Sequence, residues 1–302
     1  MADSARTPIV LITGSLGSGK TTLLRHILDS VPFRIAVLVN EFGELAVDSR
    51  VIQGKDIDII ELTGGCVCCS MTGEFEAAVK EIIGTIAPEF IVVEATGVAE
   101  SDALVFEVED NLPEVRLDSV ICIVDAYLGV KFPYIGYTLR TQISSADIIL
   151  INKVDLVTAA ETETVEAQAK NHNSDALFLR TVNCELNPGL LFGHPSGPRA
   201  GAPAFFSGDK YNSFVWTTDK IIDKLKFDEL IGTLPNDLIR AKGFVRFKEG
   251  GFLFNYVVGR VDFEQSSVDG TELVFIGLDA DRFRTDMVNR LRECEQSEIN
   301  AL

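Results

Sequence analysis

The sequence has 302 residues and a formal net charge of −18, with 46% hydrophobic and 24% charged residues. This balance is typical of a globular chain with enough apolar material for a core, and it excludes an intrinsically disordered protein. The acidic charge keeps the protein soluble and disfavours binding to nucleic acid or to an anionic membrane, so we expect neither as a partner.

The composition also bears on location. No run of apolar residues approaches the roughly 18 needed for a membrane-spanning helix. The first residues, MADSARTPIVLITGS, lack a positively charged leader and pass directly from a short apolar stretch into a glycine-rich loop, unlike a signal peptide. We therefore expect a cytoplasmic protein. Three of the six cysteines are clustered. In a reducing compartment, such a cluster indicates thiolate chemistry rather than a disulfide framework.

Short apolar runs alternate with helical patterns through the first three-fifths of the chain. The predicted strands are Ile9–Thr13, Arg34–Asn40, Ile57–Leu62, Phe90–Glu94, Ser119–Asp125, Ile148–Asn152 and Ala176–Thr181. The predicted helices are Lys20–Ser30, Glu74–Ala87, Gly136–Ser145 and Glu161–Asn173. Since the strands are rich in Ile and Val without polar alternation, they suit a sheet buried on both faces. The pattern predicts an α/β domain with a mostly parallel sheet.

A stretch dense in Gly and Pro, Asn187–Gly208, interrupts this alternation and predicts a linker. We therefore expect a first domain over residues 1–186, a linker over 187–208 and a second domain over 209–302. The elements predicted beyond the linker are strands Ser213–Thr217, Ala241–Lys248, Gly251–Val258 and Glu272–Gly277, and helices Ile221–Thr233 and Asp279–Glu295. This mixture predicts a smaller α+β domain with an antiparallel sheet.

A phosphate-binding loop lies between the first predicted strand and the first predicted helix. The segment GSLGSGKT, Gly14–Thr21, matches the pattern GxxxxGK(S/T) in full. The loop residues expected to surround phosphate oxygens are Gly14, Gly17, Ser18 and Gly19, because glycines let backbone N–H groups turn inward. Lys20 is expected to reach the β- and γ-phosphates, and the Thr21 hydroxyl to ligate Mg²⁺.

An acidic residue ends the strand Phe90–Glu94. Glu94 is expected beside Mg²⁺, directly or through water, and could also orient the attacking water. Lys20 and Glu94 are therefore the candidate catalytic residues. Gly97, three residues further, would let the backbone approach the γ-phosphate.

The segment Asn152-Lys153-Val154-Asp155 follows the strand Ile148–Asn152 and matches the NKxD pattern that indicates guanine recognition. A carboxylate at Asp155 can accept both adjacent donors of guanine, N1–H and N2–H₂, in a charge-assisted pair that adenine cannot form. Lys153 can lay its aliphatic stem over the base, and Asn152 can tie neighbouring loops together. The predicted ligand is GTP.

Three thiols lie within four residues in the segment GGCVCC, at Cys66, Cys68 and Cys69. Such a set can place two or three sulfurs on one soft metal ion, and a following helix would lower the thiol pKa values. Zinc, cobalt(II), nickel(II) and copper(I) are all compatible, with Zn²⁺ the best fit among the abundant ions. Further ligands could come from the segment NEFGELAVD, where Glu41, Glu44 and Asp48 are the candidates. Redox thiols and inert cysteines are the alternatives.

With these residues in view, the sequence resembles the CobW-like metallochaperone GTPases, which are related to the nickel-accessory GTPases of hydrogenase and urease maturation. The resemblance rests on GSLGSGKTTLLRHIL, VNEFGE, GGCVCC, VVEATG and NKVD, which occur in the order of that family, and on LPNDLIRAKGFVRF and TELVFIG in the second domain. It implies that the residues from Gly14 through Thr22 contact phosphate and Mg²⁺. It further implies that Glu41 lies in a switch segment and that the clustered cysteines bind metal.

The resemblance implies a slow GTPase that binds zinc or cobalt and delivers it to a client metalloprotein in a nucleotide-dependent way. One departure is that this chain has a single histidine, His194, near the linker, where many family members have a histidine-rich run. A thiol-based regulatory switch and a GTP-dependent scaffold with a structural metal remain as alternatives. The oligomeric state is open between a monomer and a homodimer.

Overall fold

The computed structural model describes residues 6–30, 34–39, 57–61, 71–95, 101–186, 190–192, 211–235, 237–268 and 270–296. The chain divides into two compact units, one covering Arg6–Leu186 and the other containing Asn187–Leu302. No helix among the described residues is both long enough and apolar enough to cross a lipid bilayer.

The first unit alternates strands and helices, as the sequence predicts. Its strands are β1 (Thr7–Gly14), β2 (Ile35–Val39), β3 (Ile57–Glu61), β4 (Phe90–Glu94), β5 (Val115–Asp125), β6 (Ile148–Asn152) and β7 (Leu177–Thr181). Its helices are α1 (Lys20–Ser30), α2 (Met71–Thr85), α3 (Ser101–Phe106), α4 (Ala126–Lys131), α5 (Tyr137–Ser144) and α6 (Ala159–Lys170). A π-helical turn (Glu107–Asn111) follows α3, and a 3-10 turn (Val154–Leu156) follows β6.

The seven strands described above form one parallel sheet in the order β3-β2-β4-β1-β5-β6-β7. Every residue of β2, β5 and β6 is buried, which explains why β2 and β6 show apolar runs without polar alternation. The first half of β5 also buries Arg116 and Asp118, which form an ion pair at 2.9 Å. The predicted α/β fold with a parallel sheet is therefore confirmed.

The strand register places polar side chains in one row along the carboxyl edge of the sheet. Asp125 at the end of β5 pairs with Asn152 at the end of β6, and Asn152 pairs with Thr181 at the end of β7. On the other side of β5, Ile12 of β1 lies opposite Glu94, the last residue of β4. Residues far apart in sequence thus meet at one edge, which is where open α/β sheets bind ligands.

Two helices, α3 and α4, lie where the sequence predicts none. Helix α4 starts directly from β5, because the Asp125 side chain accepts a hydrogen bond from the backbone N–H of Leu128. Gly129 allows this short helix to approach α6, since a Cβ atom there would lie 2.9 Å from the methyl groups of Val165. The predicted helix Glu161–Asn173 begins earlier, at Ala159, because Thr158 forms a capping box at its start, and it ends earlier, at Lys170.

The second unit contains an antiparallel sheet in the order β11-β10-β9-β12-β8. Its strands are β8 (Tyr211–Thr218), β9 (Leu238–Phe247), β10 (Gly250–Val257), β11 (Arg260–Gln265) and β12 (Thr271–Leu278), and its helices are α7 (Lys224–Ile231) and α8 (Asp281–Glu293). Aromatic side chains dominate the core, where Phe227 meets Phe247 and Phe254 edge to face at 5.7 and 5.3 Å between ring centroids. The predicted antiparallel α+β domain is confirmed, with β11 as an additional strand.

Candidate functional site

The loop between β1 and α1 has a backbone that only glycine accommodates. Gly14 and Gly19 have φ angles of +137° and +120°. A Cβ atom at Gly14 would lie 2.5 Å from the carbonyl oxygen of Ile123, and one at Gly19 would lie 2.7 Å from Asn152 Nδ2 and 2.8 Å from Cys184 Sγ. Both positions therefore combine a left-handed conformation with close contact to a neighbouring strand end, as a phosphate-binding loop requires.

The side chain of Lys20 folds back over this loop. Its ammonium donates to the carbonyl oxygens of Gly14 at 3.0 Å and Ser15 at 3.3 Å, and the residue is only 7% exposed. The buried hydroxyl of Ser18 has no hydrogen-bond partner among the described residues. A buried ammonium, an unsatisfied hydroxyl and the N-terminus of α1 together fit an anion such as a phosphate group.

Thr21 near the start of α1 contacts Glu94 at the end of β4. The Thr21 hydroxyl donates to Glu94 Oε1 at 3.1 Å, although the two residues lie in α1 and β4. A hydroxyl next to a carboxylate is the kind of oxygen set that suits Mg²⁺ beside a phosphate. Thr22, the next residue of α1, is partly buried.

Asn152 connects three segments of the site. Its Nδ2 donates to the carbonyl oxygen of Ser18 at 2.8 Å, in the phosphate-binding loop. Its Oδ1 accepts from Thr181 Oγ1 at 3.0 Å and from the backbone N–H of Cys184 at 2.9 Å. The side chain is buried, and its three hydrogen bonds fix the relative positions of the loop, β6, β7 and the segment after β7.

Lys153 lies between the phosphate-binding loop and β5. Its backbone is left-handed, with φ 63° and ψ 35°. Its ammonium donates to the carbonyl oxygen of Gly17 at 2.7 Å and forms a salt bridge with Asp125 Oδ2 at 2.6 Å. Asp155 lies in the 3-10 turn that follows and is exposed, so its carboxylate is available to a ligand.

Three residues of this site were not assigned from the sequence. Thr181 and Cys184 contact Asn152, and Asp125 contacts Lys153. Cys184 Sγ lies 3.5 Å from the carbonyl oxygen of Gly19, and burial raises the pKa of its thiol to about 12, so the thiol is neutral. The signal that could have identified Asp125 and Thr181 is the parallel register, because the row Asp125, Asn152, Thr181 follows once β5, β6 and β7 are known to be neighbours. Cys184 lies beyond the end of β7, so the register does not identify it.

The predicted transition-metal site lies outside the described residues. Those positions are Cys66, Cys68, Cys69 and Glu41; Gly97 is also outside. Within the described ranges, no cluster of three or more His, Cys, Asp or Glu side chains could hold a metal ion. The cysteines in those ranges are Cys122, Cys184 and Cys294, and all are buried; burial raises their thiol pKa values to about 12, 12 and 11.

The chain is similar to several proteins of known name. Zinc chaperone CobW of Sinorhizobium sp is 29% identical, and the match covers 92% of this chain and 94% of the relative. Zinc chaperone YjiA of Escherichia coli (strain K12) is 36% identical over 61% of this chain and 60% of the relative. The crystal structure of Zn(II)-bound YjiA GTPase from E. coli covers 97% of this chain and 100% of that chain, at 24% identity and a TM-score of 0.48.

Two family models match the two parts of the chain. The model described as CobW/HypB/UreG, nucleotide-binding domain, matches residues 8–180, and the Cobalamin synthesis protein cobW C-terminal domain matches residues 211–295. The first alone covers more than half of the 302 residues and contains the five motifs from GSLGSGKTTLLRHIL to NKVD, whereas LPNDLIRAKGFVRF and TELVFIG lie within the second. The chain therefore belongs to the CobW/HypB/UreG family.

Proposed function

We propose that this protein is a GTP-hydrolysing metallochaperone. It binds zinc at the cysteine cluster Cys66, Cys68 and Cys69, with Glu41 as a further ligand, and passes the ion to a client metalloprotein in a nucleotide-dependent way. The single observation that carries the nucleotide part is the 2.8 Å hydrogen bond from Asn152 Nδ2 to the carbonyl oxygen of Ser18. It joins the phosphate-binding loop directly to the NKxD segment, so that one ligand can contact both.

The chemistry of the base follows from the exposed carboxylate of Asp155. An ionised carboxylate accepts two parallel hydrogen bonds from a planar group with two adjacent donors, and guanine presents such a pair. The stem of Lys153 covers one face of the base. Asn152 keeps these two residues at a fixed distance from the phosphate-binding loop, and this distance selects a guanosine phosphate over the free base.

The residues of the loop divide the work of hydrolysis. Lys20 exchanges its contacts with the loop carbonyls for the β- and γ-phosphate oxygens and balances their charge. Thr21 and Glu94 would hold Mg²⁺, directly or through water, and the ion would supply positive charge to the same oxygens. Gly97 would let the backbone approach the γ-phosphate. Glu94 also orients the attacking water. We expect slow intrinsic hydrolysis, because the sequence places no arginine obviously in position to stabilise the transition-state charge.

The metal part rests on the cysteines. Thiolates, not thiols, bind soft metal ions, and the three cysteines of the described ranges have thiol pKa values raised to about 11 or 12 by burial. The remaining three are Cys66, Cys68 and Cys69. The similar proteins named above are called zinc chaperones, which favours zinc over cobalt as the ion carried.

Coupling between nucleotide and metal requires only modest energy. A hundredfold difference in zinc affinity between the GTP and GDP states corresponds to about 2.7 kcal/mol, which is within the usual range for coupled sites. By reciprocity, bound zinc must tighten GTP binding by the same factor. The γ-phosphate supplies the difference between the two states by contacting the switch segment around Glu41.

The test is an anaerobic competition titration with Zn²⁺ and Co²⁺ in Mg²⁺–GTP and in Mg²⁺–GDP. We expect much tighter zinc binding with GTP, loss of tight binding in Cys66→Ala and Cys68→Ala, and no change in Cys294→Ser, which alters a buried cysteine of the second unit. Equal affinity in both nucleotides would indicate a structural metal. No metal binding at all would leave a thiol-based switch.

A second experiment tests the assignment of Asp155 to guanine recognition. Asp155→Asn should bind GTP more weakly and discriminate less against ATP, because the amide offers one acceptor and one donor in place of two acceptors. Unchanged discrimination against ATP in this variant would contradict the base assignment. Transfer of zinc to an apo client, with GTP and with GDP, then separates delivery from storage.

A further inference from the structure

Asp125 is a buried carboxylate whose two oxygens have different partners. It ends β5, and its side chain is only 2% exposed. One oxygen, Oδ1, accepts the backbone N–H of Leu128 at 3.0 Å and so caps the N-terminus of α4. The other, Oδ2, accepts from the ammonium of Lys153 at 2.6 Å. A helix cap requires only the first contact, so the second calls for its own explanation.

The second contact restrains the side chain of Lys153, which is long and partly exposed to solvent. The side chain of Lys153 is 32% exposed, and its backbone adopts the left-handed conformation at φ 63°, which is uncommon for a residue with a Cβ atom. Its ammonium is held between Asp125 Oδ2 and the carbonyl oxygen of Gly17 at 2.7 Å. With both ends restrained, the stem between them has few conformations left before any ligand arrives.

A restrained stem matters if the lysine covers a base. A free lysine loses much rotational freedom when it is immobilised, and a binding site that has already lost this freedom binds more tightly. The carboxylate is well suited to the task, because it is buried, rigidly attached to a sheet strand and held by the cap of α4. The charge of the lysine also offsets a carboxylate located next to the phosphate-binding loop, where an uncompensated negative charge would repel a nucleotide.

We propose that Asp125 is a positioning residue for guanine nucleotides, which holds the ammonium of Lys153 so that the lysine stem lies ready to cover the base. This inference rests on the proposed function, since it assumes that Lys153 contacts a guanine ring. The base is common to GTP and GDP. Asp125 therefore affects the affinity of both nucleotides by the same factor and leaves the rate of hydrolysis at saturating GTP unchanged.

The substitution Asp125→Asn separates the two roles of the carboxylate. Asparagine is as good an N-cap as aspartate, so its oxygen can still accept from Leu128, but it carries no charge to hold Lys153. The matched control is Asp223→Asn, the same change at the N-cap of α7, where the carboxylate accepts the backbone N–H of Lys226 at 3.2 Å. Asp125→Ser, which also caps a helix without charge, serves if Asp125→Asn fails to fold.

The experiment measures the affinity of fluorescent GTP and GDP analogues, and the rate of hydrolysis at saturating GTP, for the full chain in five forms: wild type, Asp125→Asn, Lys153→Met, the double variant and the control Asp223→Asn. We expect Asp125→Asn to weaken both nucleotides about tenfold, equivalent to about 1.4 kcal/mol. The double variant should bind no more weakly than Lys153→Met, because Asp125 acts only through that lysine. Asp223→Asn should match the wild type.

Three results would overturn this inference. The first is wild-type affinity in Asp125→Asn. The second is an additive double variant, which means that the carboxylate acts through the fold of α4 rather than through the lysine. The third is a fall in the hydrolysis rate at saturating GTP with no change in affinity. A wild-type protein that binds no guanine nucleotide overturns the proposed function as well, so the two failures are distinguishable.

Discussion

Replacing Asn152 by alanine should destabilise the first unit more than any change at an exposed residue of the site. The Asn152 side chain makes three buried hydrogen bonds, to the carbonyl oxygen of Ser18 at 2.8 Å, from Thr181 Oγ1 at 3.0 Å and from the backbone N–H of Cys184 at 2.9 Å. Alanine removes the whole amide and leaves these three partner groups in place. They belong to three different segments, so no single local shift can pair them again.

The size of the effect follows from those three groups. A buried donor or acceptor that loses its partner lowers the free energy of unfolding by about 1 to 3 kcal/mol, because the hydrogen bond that it makes to water in the unfolded chain is not replaced in the folded protein. Some relaxation and water entry will reduce the sum, so we expect a loss of about 3 to 5 kcal/mol. Thr181→Val removes one of the three bonds with little change of shape and should cost about 1 kcal/mol. Asp155→Asn, at an exposed position, should stay within about 0.5 kcal/mol of the wild type.

Urea denaturation without nucleotide measures these differences, followed by far-UV circular dichroism and by tryptophan fluorescence. The chain has one tryptophan, Trp216, which is buried in the second unit. Its emission therefore reports unfolding of the second unit and serves as an internal reference. In Asn152→Ala, the fluorescence transition should stay at the urea concentration of the wild type. The part of the circular dichroism change that the fluorescence does not show, which comes from the first unit, should move to lower urea concentration.

Two results would refute the reasoning. A loss below about 1 kcal/mol in Asn152→Ala would mean that water replaces the amide without cost and that Asn152 is not a structural connection. An equal loss in Asn152→Ala and Thr181→Val would assign the whole effect to the contact with β7. In either case the link between the phosphate-binding loop and the NKxD segment would need another origin.

Two further predictions concern the phosphate-binding loop and the cysteine beneath it. Gly19→Ala should weaken nucleotide binding at least tenfold in a fluorescent-GDP titration, because the added Cβ would lie 2.7 Å from Asn152 Nδ2 and the backbone is left-handed. In the control Gly17→Ala the added Cβ meets no atom within 4 Å, so only backbone strain remains and the loss of affinity should be smaller. Native Cys184 should resist iodoacetamide between pH 7 and 9, roughly the range used for thiol labelling, because burial raises its pKa to about 12. Alkylation mapped by mass spectrometry checks this, and rapid labelling of the native protein at pH 8 would contradict the buried, neutral thiol.

The boundaries of helices and strands are predictable from the sequence where chemistry restricts the choice of residues. Helix α1 begins at Lys20 and ends at Ser30 as predicted, because the phosphate-binding loop sets its start. Strand β4 also matches, since the buried run Phe90–Glu94 ends at an acidic residue. In both cases a motif or a sharp change in polarity fixes the boundary.

The elements that were missed depend on tertiary contacts. Strand β11 follows β10 through a tight turn in which Val258 and Gly259 have φ angles of 45° and 91°. Hairpin turns of this hand usually contain Asn or Asp beside Gly, so valine concealed the signal. Helix α4 contains Gly129, a poor helix former, which is needed because α4 packs against Val165 of α6.

The site shows the same division. The phosphate-binding loop and the NKxD segment are recognisable because their residues act on the ligand directly. Asp125, Thr181 and Cys184 act on other residues of the site, and their role is visible only once the strand order is known. A single sequence does not specify which strands are neighbours, so these supporting residues could not have been predicted from their types alone.

The central position of β1 has a consequence for the synthesis of this protein. β1 is the first described strand, yet its neighbours are β4 and β5, with Ile9 opposite Ile91 and Thr7 opposite Val115. At a translation rate of about 5 to 20 residues per second, this strand, with its apolar centre Ile9–Ile12, waits on the order of ten seconds for its first partner to emerge from the ribosome. During that interval Ile9–Ile12 is an unpaired apolar β-segment, which is the kind of segment through which partly folded chains associate, so early association of nascent chains should involve β1.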